Sequence, residues 1–129
     1  MANISKEIAS YIESVASSSQ DIASIWLIGS RANGNESPNS DWDFVVFGSN
    51  AGLEAIRKNV DERADVDLLI VTDGDSFQDP WKTKTGKLSS WEWQETCDGG
   101  AVYRSTKWPD DAEMWEERIC QATRVWNRG

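Results

Sequence analysis

Residues 22–47 begin Ile22-Ala23-Ser24-Ile25-Trp26-Leu27-Ile28-Gly29-Ser30-Arg31-Ala32-Asn33-Gly34 and end Ser40-Asp41-Trp42-Asp43-Phe44-Val45-Val46-Phe47. Two short apolar runs flank a polar stretch that contains Pro38. Runs of this length bounded by turn residues read as buried strands. Gly29 at the end of the first lets backbone approach a bound phosphate closely. Ser30 to Gly34 reads as a turn leading into a short helix, whose N-terminus offers N–H donors to an anion. Ser30 adds a hydroxyl, and Arg31 a cation able to neutralise phosphate charge. The competing reading is an ordinary strand-to-helix turn with Ser30 as cap.

Asp41 and Asp43 open the second run. Side chains alternate along a strand, so both carboxylates point to one side and Trp42 to the other. Like charges so placed repel and call for a cation. The oxygen-only donor set suits Mg²⁺ or Mn²⁺. A solvated strand edge is the alternative, weakened by the apolar Phe44-Val45-Val46-Phe47 that follows. A third run, Asp65-Val66-Asp67-Leu68-Leu69-Ile70-Val71, carries Asp67 between two apolar residues. A carboxylate inside a core strand is costly unless paired or metal-bound. Asp65 has the same parity but lies at the strand start, so Asp67 is the favoured third acid.

Working outward, Ile4, Ile8, Tyr11, Ile12 and Val15 recur at helical spacing, with Asn3 or Ser5 as cap. Leu53, Ile56 and Val60 mark a helix from Ala51 to Arg63. Thr72 to Lys87, with Gly74, Pro80 and Gly86, reads as a mobile connection carrying Lys82, Lys84 and Lys87. Leu88–Thr96 and Ala101–Lys107 flank Asp98-Gly99-Gly100 and read as a β-hairpin. Pro109-Asp110-Asp111 then starts a final helix, with Ala112, Trp115, Ile119, Ala122 and Trp126 on one stripe. The order α-β-(α)-β-α-β-β-β-α describes an α+β, α/β-like domain with a mixed sheet. At 129 residues one domain is expected over 1–129, with a motif core at 22–71 and a Trp-rich hairpin and helix at 88–127.

The chain has no histidine. That excludes His-dependent triads, most zinc sites and imidazole acid–base chemistry. Its net charge of −9 argues against general nucleic-acid binding. No apolar run is long enough for a membrane span, and the N-terminus lacks the pattern of a secretory signal. Cys97 and Cys120 read as free thiols of a reducing cytoplasm. Among eight tryptophans, those beyond Leu88 suggest a Trp-rich core or a contact surface. Trp26 and Trp42 are candidates to stack on a base, with core packing the competing reading.

The ordered set Gly29-Ser30, ten intervening residues, Asp41-Trp42-Asp43 and Val66-Asp67-Leu68 resembles the nucleotidyltransferase superfamily that includes DNA polymerase β. Gly29-Ser30-Arg31-Ala32-Asn33-Gly34 looks like the Gly-Ser-Arg-Ala-Arg-Gly of the minimal nucleotidyltransferases, some of which are antitoxins paired with a helical RNase toxin. The resemblance covers roughly Ile22 to Val71. Asn33 departs from a common Arg, Trp42 is bulkier than the usual aliphatic, and the Trp-rich region beyond Lys87 is not explained by the motif.

The resemblance implies a polymerase β-like core and two-metal transfer of a nucleotide, AMP from ATP in the first instance, to a hydroxyl on a protein or small-molecule acceptor. In that scheme Asp41, Asp43 and Asp67 are the catalytic and metal-holding acids, and Gly29, Ser30 and Arg31 bind the nucleotide. The cofactor is Mg²⁺ or Mn²⁺, and the partners are the NTP and either a helical toxin-like protein or a small acceptor. The alternative is a non-catalytic antitoxin or binding module that neutralises a partner through its Trp-rich C-terminal surface.

Overall fold

The structure, a computed structural model, describes residues 4–34, 40–107 and 116–128. Its first element, α1 (Lys6–Ser17), starts where Ser5 accepts the N–H of Ile8 on its hydroxyl at 3.3 Å, with Glu7 in the first turn complementing the helix dipole. Ile8, Ile12, Val15 and Ala16 form its buried stripe. A second helix, α2 (Asn50–Asn59), is capped in the same way by Ser49, which accepts from the Gly52 N–H at 3.1 Å and donates to Asp21 at 2.8 Å. It stops short of Arg63, at Val60, whose backbone is already extended.

Among the described residues eight strands form one sheet: β1 (Ser24–Ile28), β2 (Trp42–Phe47), β3 (Val66–Val71), β4 (Ser76–Gln78), β5 (Thr85–Lys87), β6 (Gln94–Cys97), β7 (Gly100–Lys107) and β8 (Glu116–Asn127). Their order across it is β5-β4-β3-β2-β1-β8-β7-β6. β2 and β3 run parallel, joined through α2, and the other neighbours are antiparallel. The mixed sheet and two helices give the expected α+β class.

Alternation along the strands sorts the core into two layers. Leu27, Phe44, Val46, Leu68 and Ile70 face the layer that holds α1 and α2. Trp26, Val45, Leu69 and Val71 face the other, where Phe77, Leu88, Tyr103 and Ala122 join them. Trp91 and Trp93 pack against this second layer. Full burial of each such aliphatic side chain stabilises the fold by about 1.5–3 kcal/mol.

Three expectations are corrected. Residues 72–87 are an ordered hairpin rather than a mobile connection. Asp73 accepts the N–H groups of Asp75 and Ser76 at 3.0 and 2.6 Å, and Asp79 those of Trp81 and Lys82 at 2.9 and 3.0 Å. Phe77 lies over Gly86, its partner across the ladder, where any Cβ would collide with the ring. In the next hairpin only Gln94–Cys97 pairs with β7. Leu88–Trp91 forms a 3₁₀ turn instead, begun by Asp75, which accepts the Ser89 N–H at 2.7 Å.

The third correction concerns the C-terminus. Ile119, Ala122 and Trp126 belong to β8, not to a helix; Pro109–Ala112 and Trp115 lie outside the described residues. β8 lies between β1 and β7, pairing with β7 through residues 116–123 and with β1 through residues 123–127. Tertiary pairing of that extent overrides a helical spacing of apolar residues. A register shift opposite Ile25/Trp26 lets Trp126 pair with Ile25 and Arg124 with Trp26. Among the described residues no helix is long and apolar enough to cross a membrane.

Candidate active site

β1 ends at Ile28, directly opposite Asp43 on β2. Gly29 follows with φ +75, and a Cβ there would stand 2.5 Å from Asp43 Oδ2. Glycine is required twice over at this point, for the left-handed backbone and for the close approach to the carboxylate. The turn after it closes on the Gly29 carbonyl, which accepts from the N–H groups of Ala32 and Asn33 at 3.1 and 3.2 Å. Ser30 lies in this turn, and no regular helix follows among the described residues.

Asp43 and Asp67 occupy the same level of the parallel pair β2/β3. They face the layer opposite the helices, since Phe44 and Leu68 beside them face the helical one. Burial pushes the Asp43 carboxyl up to about 6, helped by the Asp67 charge, by the hydrogen bond the two acids share and by the Asp41 charge; Lys84 opposes the rise. Asp67 is held by Lys82 Nζ at 3.2 Å, and that contact raises the lysine's own affinity for its proton. Asp41 is exposed just ahead of β2. Asp65, the other candidate third acid, is taken by Arg63 at 2.6 Å, which holds its carboxyl below the usual range.

Arg31 is not part of this constellation. Its guanidinium donates to the Ser40 carbonyl through Nε at 3.1 Å and through its terminal nitrogen at 2.8 Å, and lies 4.2 Å over the Trp42 ring. Trp42 belongs to the helical layer, so Arg31 stands on the other side of the sheet from Asp43. Asn33 serves the fold: its side chain accepts the Gln121 N–H at 2.8 Å and donates to the Gln121 carbonyl at 3.2 Å. One amide thus fastens the motif turn to β8 as a further strand residue would.

A cleft of about 550 Å³ opens in front of the two acids, within the size range of small-ligand sites. Asp43, Asp67, Lys84, Trp91, Tyr103 and Arg104 are among the residues that line it. Tyr103 reaches furthest into the motif: its hydroxyl accepts the Gly29 N–H at 3.0 Å. Burial raises its own pKa to about 12. Arg104 pairs with Glu92 at 2.5 Å. The two tryptophans that sequence suggests for base stacking are core residues, Trp26 at 1% and Trp42 at 8% exposure. Trp91 and Tyr103 escape a sequence reading, because nothing in their local sequence says that the C-terminal strands return to the motif.

Hard carboxylate oxygens side by side on adjoining strands, one of them paired to Lys82, fit a divalent cation. The fit is that of a pair: among the described residues no three acidic or cysteine side chains converge closely enough to hold a metal ion. Asp41 contributes charge to Asp43 without joining such a cluster.

Neither the comparison with curated proteins nor that with solved structures finds a match. The family model described as Polymerase beta, Nucleotidyltransferase matches residues 10–58, a span that holds the Gly29-Ser30 turn and the Asp41-Trp42-Asp43 strand. Over that span the chain is similar to the polymerase β-like nucleotidyltransferases, and the third acid stands in register on the adjoining parallel strand.

Proposed function

We propose that the cleft binds a nucleoside triphosphate with Mg²⁺ or Mn²⁺ and transfers the nucleoside monophosphate, AMP in the first instance, to a hydroxyl of a protein or small-molecule acceptor, with release of pyrophosphate. The observation that carries this reading is the Asp43–Asp67 pair, aligned on parallel strands and facing a nucleotide-sized cleft. In this reading Asp43 and Asp67 hold the cation, with Asp41 and phosphate oxygens as further hard donors. The ion supplies charge stabilisation at the phosphate and lowers the pKa of the attacking hydroxyl.

The remaining roles belong to the chain. Asp67 receives the acceptor's proton on its carboxylate. Lys82 and Lys84 neutralise triphosphate charge from the loop above the acids, Lys82 exchanging its Asp67 contact for phosphate. The Ser30 hydroxyl and the turn around it hold the terminal phosphates, while Arg31 supports the turn through Ser40 and Trp42. A cytoplasmic setting is consistent with Cys97 and Cys120, both free thiols.

Isothermal titration of ATP into the protein, with Mg²⁺ and with chelator, tests the reading. Saturable binding that needs Mg²⁺ and is lost in Asp43→Asn and Asp67→Asn is the expected result. Binding indifferent to both changes, or no binding by the natural protein, removes it.

A further inference from the structure

The far wall of the cleft comes from a segment beyond the family match. Leu88–Trp91 forms its 3₁₀ turn, and Glu92 then adopts φ 54, ψ 44, a left-handed backbone in a residue that is not glycine. Such backbone is uncommon outside glycine and persists where its surroundings impose it. Here the imposition is visible: the Glu92 and Trp93 N–H groups return to Ser89 and Leu88 carbonyls at 3.1 and 3.2 Å, and the Glu92 carboxylate pairs with Arg104. The reversal brings both Trp91 and Trp93 against Tyr103, with centroids 5.6 and 6.0 Å away. Their fates differ. Trp93 continues inward against Trp26 and Phe47. Trp91 leans on Phe77 at 4.8 Å and lines the cleft that Asp43 and Asp67 also line.

A half-buried indole, packed against two other rings and lining a cleft that two acids and a lysine also line, offers a stacking surface for a planar heterocycle. We infer that Trp91 stacks on the base of the donor nucleotide, so that the site prefers purine over pyrimidine triphosphates. The inference rests on the proposed nucleotide reading and adds a specificity residue to it. Stacking is indifferent to the base's hydrogen-bonding edge and scales with ring area, so the preference is for purines as a class.

The test compares ATP, CTP and inorganic tripolyphosphate, each with Mg²⁺, by isothermal titration against the natural protein, Trp91→Ala and Trp91→Phe. The expected pattern has ATP binding more tightly than CTP or tripolyphosphate in the natural protein. Trp91→Ala weakens ATP by about five- to tenfold, leaves tripolyphosphate unchanged and narrows the ATP–CTP gap. Trp91→Phe keeps most of the ATP affinity. Equal loss of ATP and tripolyphosphate by a variant with intact circular dichroism, or unchanged ATP binding, overturns the role of Trp91 and leaves the nucleotide reading standing. Failure of both ATP and tripolyphosphate to bind the natural protein overturns both. Should Trp91→Ala not fold, the natural protein's ATP-to-CTP ratio and the Trp91→Phe variant decide: a ratio near one, or ATP lost in Trp91→Phe while tripolyphosphate binding persists, overturns the stacking role.

Discussion

The main-chain N–H of Gly29 is donated to the Tyr103 hydroxyl at 3.0 Å, across 74 positions of sequence. The bond ties the glycine turn of the family motif to β7, a strand outside the family match. Tyr103→Phe removes the acceptor and keeps the ring in contact with Trp91 and Trp93. A partly buried N–H left unpaired costs about 1–3 kcal/mol. Urea unfolding is expected to show a loss of that order, and a midpoint equal to the natural protein's would mean that water takes over the Gly29 donor.

Gly29→Ala meets two obstacles at one atom. The left-handed backbone costs about 1–2 kcal/mol by itself, and the added methyl lies 2.5 Å from Asp43 Oδ2. Something must shift, and the carboxylate is the nearest group that can. The variant is expected to be less stable than the natural protein and to lose Mg²⁺-dependent ATP binding. A variant that keeps its ATP affinity would show that Asp43 need not stay where the structure places it.

Stability should depend on pH through Asp43. Its carboxyl titrates near 6 in the fold against an ordinary 3.8, so the folded chain holds this proton more firmly than the unfolded one. The contribution to stability is complete below the ordinary value and is lost as pH rises through about 6. Asp43→Asn removes that slope, and is expected to be more stable than the natural protein at pH 7. Urea midpoints between about pH 4 and pH 7.5, a range that spans the titration, measure both. A midpoint for Asp43→Asn below that of the natural protein at neutral pH would rule out burial of a poorly compensated charge.

Arg128 closes the opposite end of the sheet. Its side chain donates to the carbonyls of Ala16, Ser19 and Ile22 at 2.8, 2.9 and 2.8 Å and lies 4.9 Å from the Trp126 ring. One guanidinium thus satisfies the end of α1 and the approach to β1. Arg128→Ala is expected to cost about 1–3 kcal/mol while leaving ATP binding intact in the folded protein. Lys in its place cannot reproduce the fork and should rescue little, which thermal unfolding of the two variants compares directly.

The centre of the molecule is legible in its sequence and the periphery much less so. Parity alone puts Asp43 on the side of β2 opposite Trp42 and Phe44, and the apolar neighbours of Asp67 put it within β3. Those are local properties, set by the two-residue period of a strand. The register that aligns Asp43 with Asp67 is a property of two strands and can be expected only from the family resemblance. Arg31 follows Ser30 in sequence, yet Ser30 lies in the turn while the Arg31 side chain crosses to Trp42. The largest departure, a strand where a final helix is expected, has a plain cause. Ala122 and Trp126 are four apart, which suits a helix stripe as readily as a bulged strand; in β8 the bulge puts Ala122 in the second layer and Trp126 against the helical one. Only the open sides of β1 and β7 decide between them, and both lie more than a dozen residues away in sequence.

The position of β8 also sets the order in which the molecule can be finished. β1 carries the glycine turn, yet its second neighbour in the sheet is the last strand of the described chain. While a ribosome is still making residues 116–127, β1 has β2 on one side and an unsatisfied backbone edge on the other, and such an edge invites pairing with foreign strands. Closing it requires contacts separated by about a hundred residues, which are slow to form. A nascent chain halted before residue 116 would carry the whole family motif and lack the strand that joins β1 to β7, the strand of Tyr103. The paired acids and the turn are early in the chain, but the cleft in front of them is assembled last.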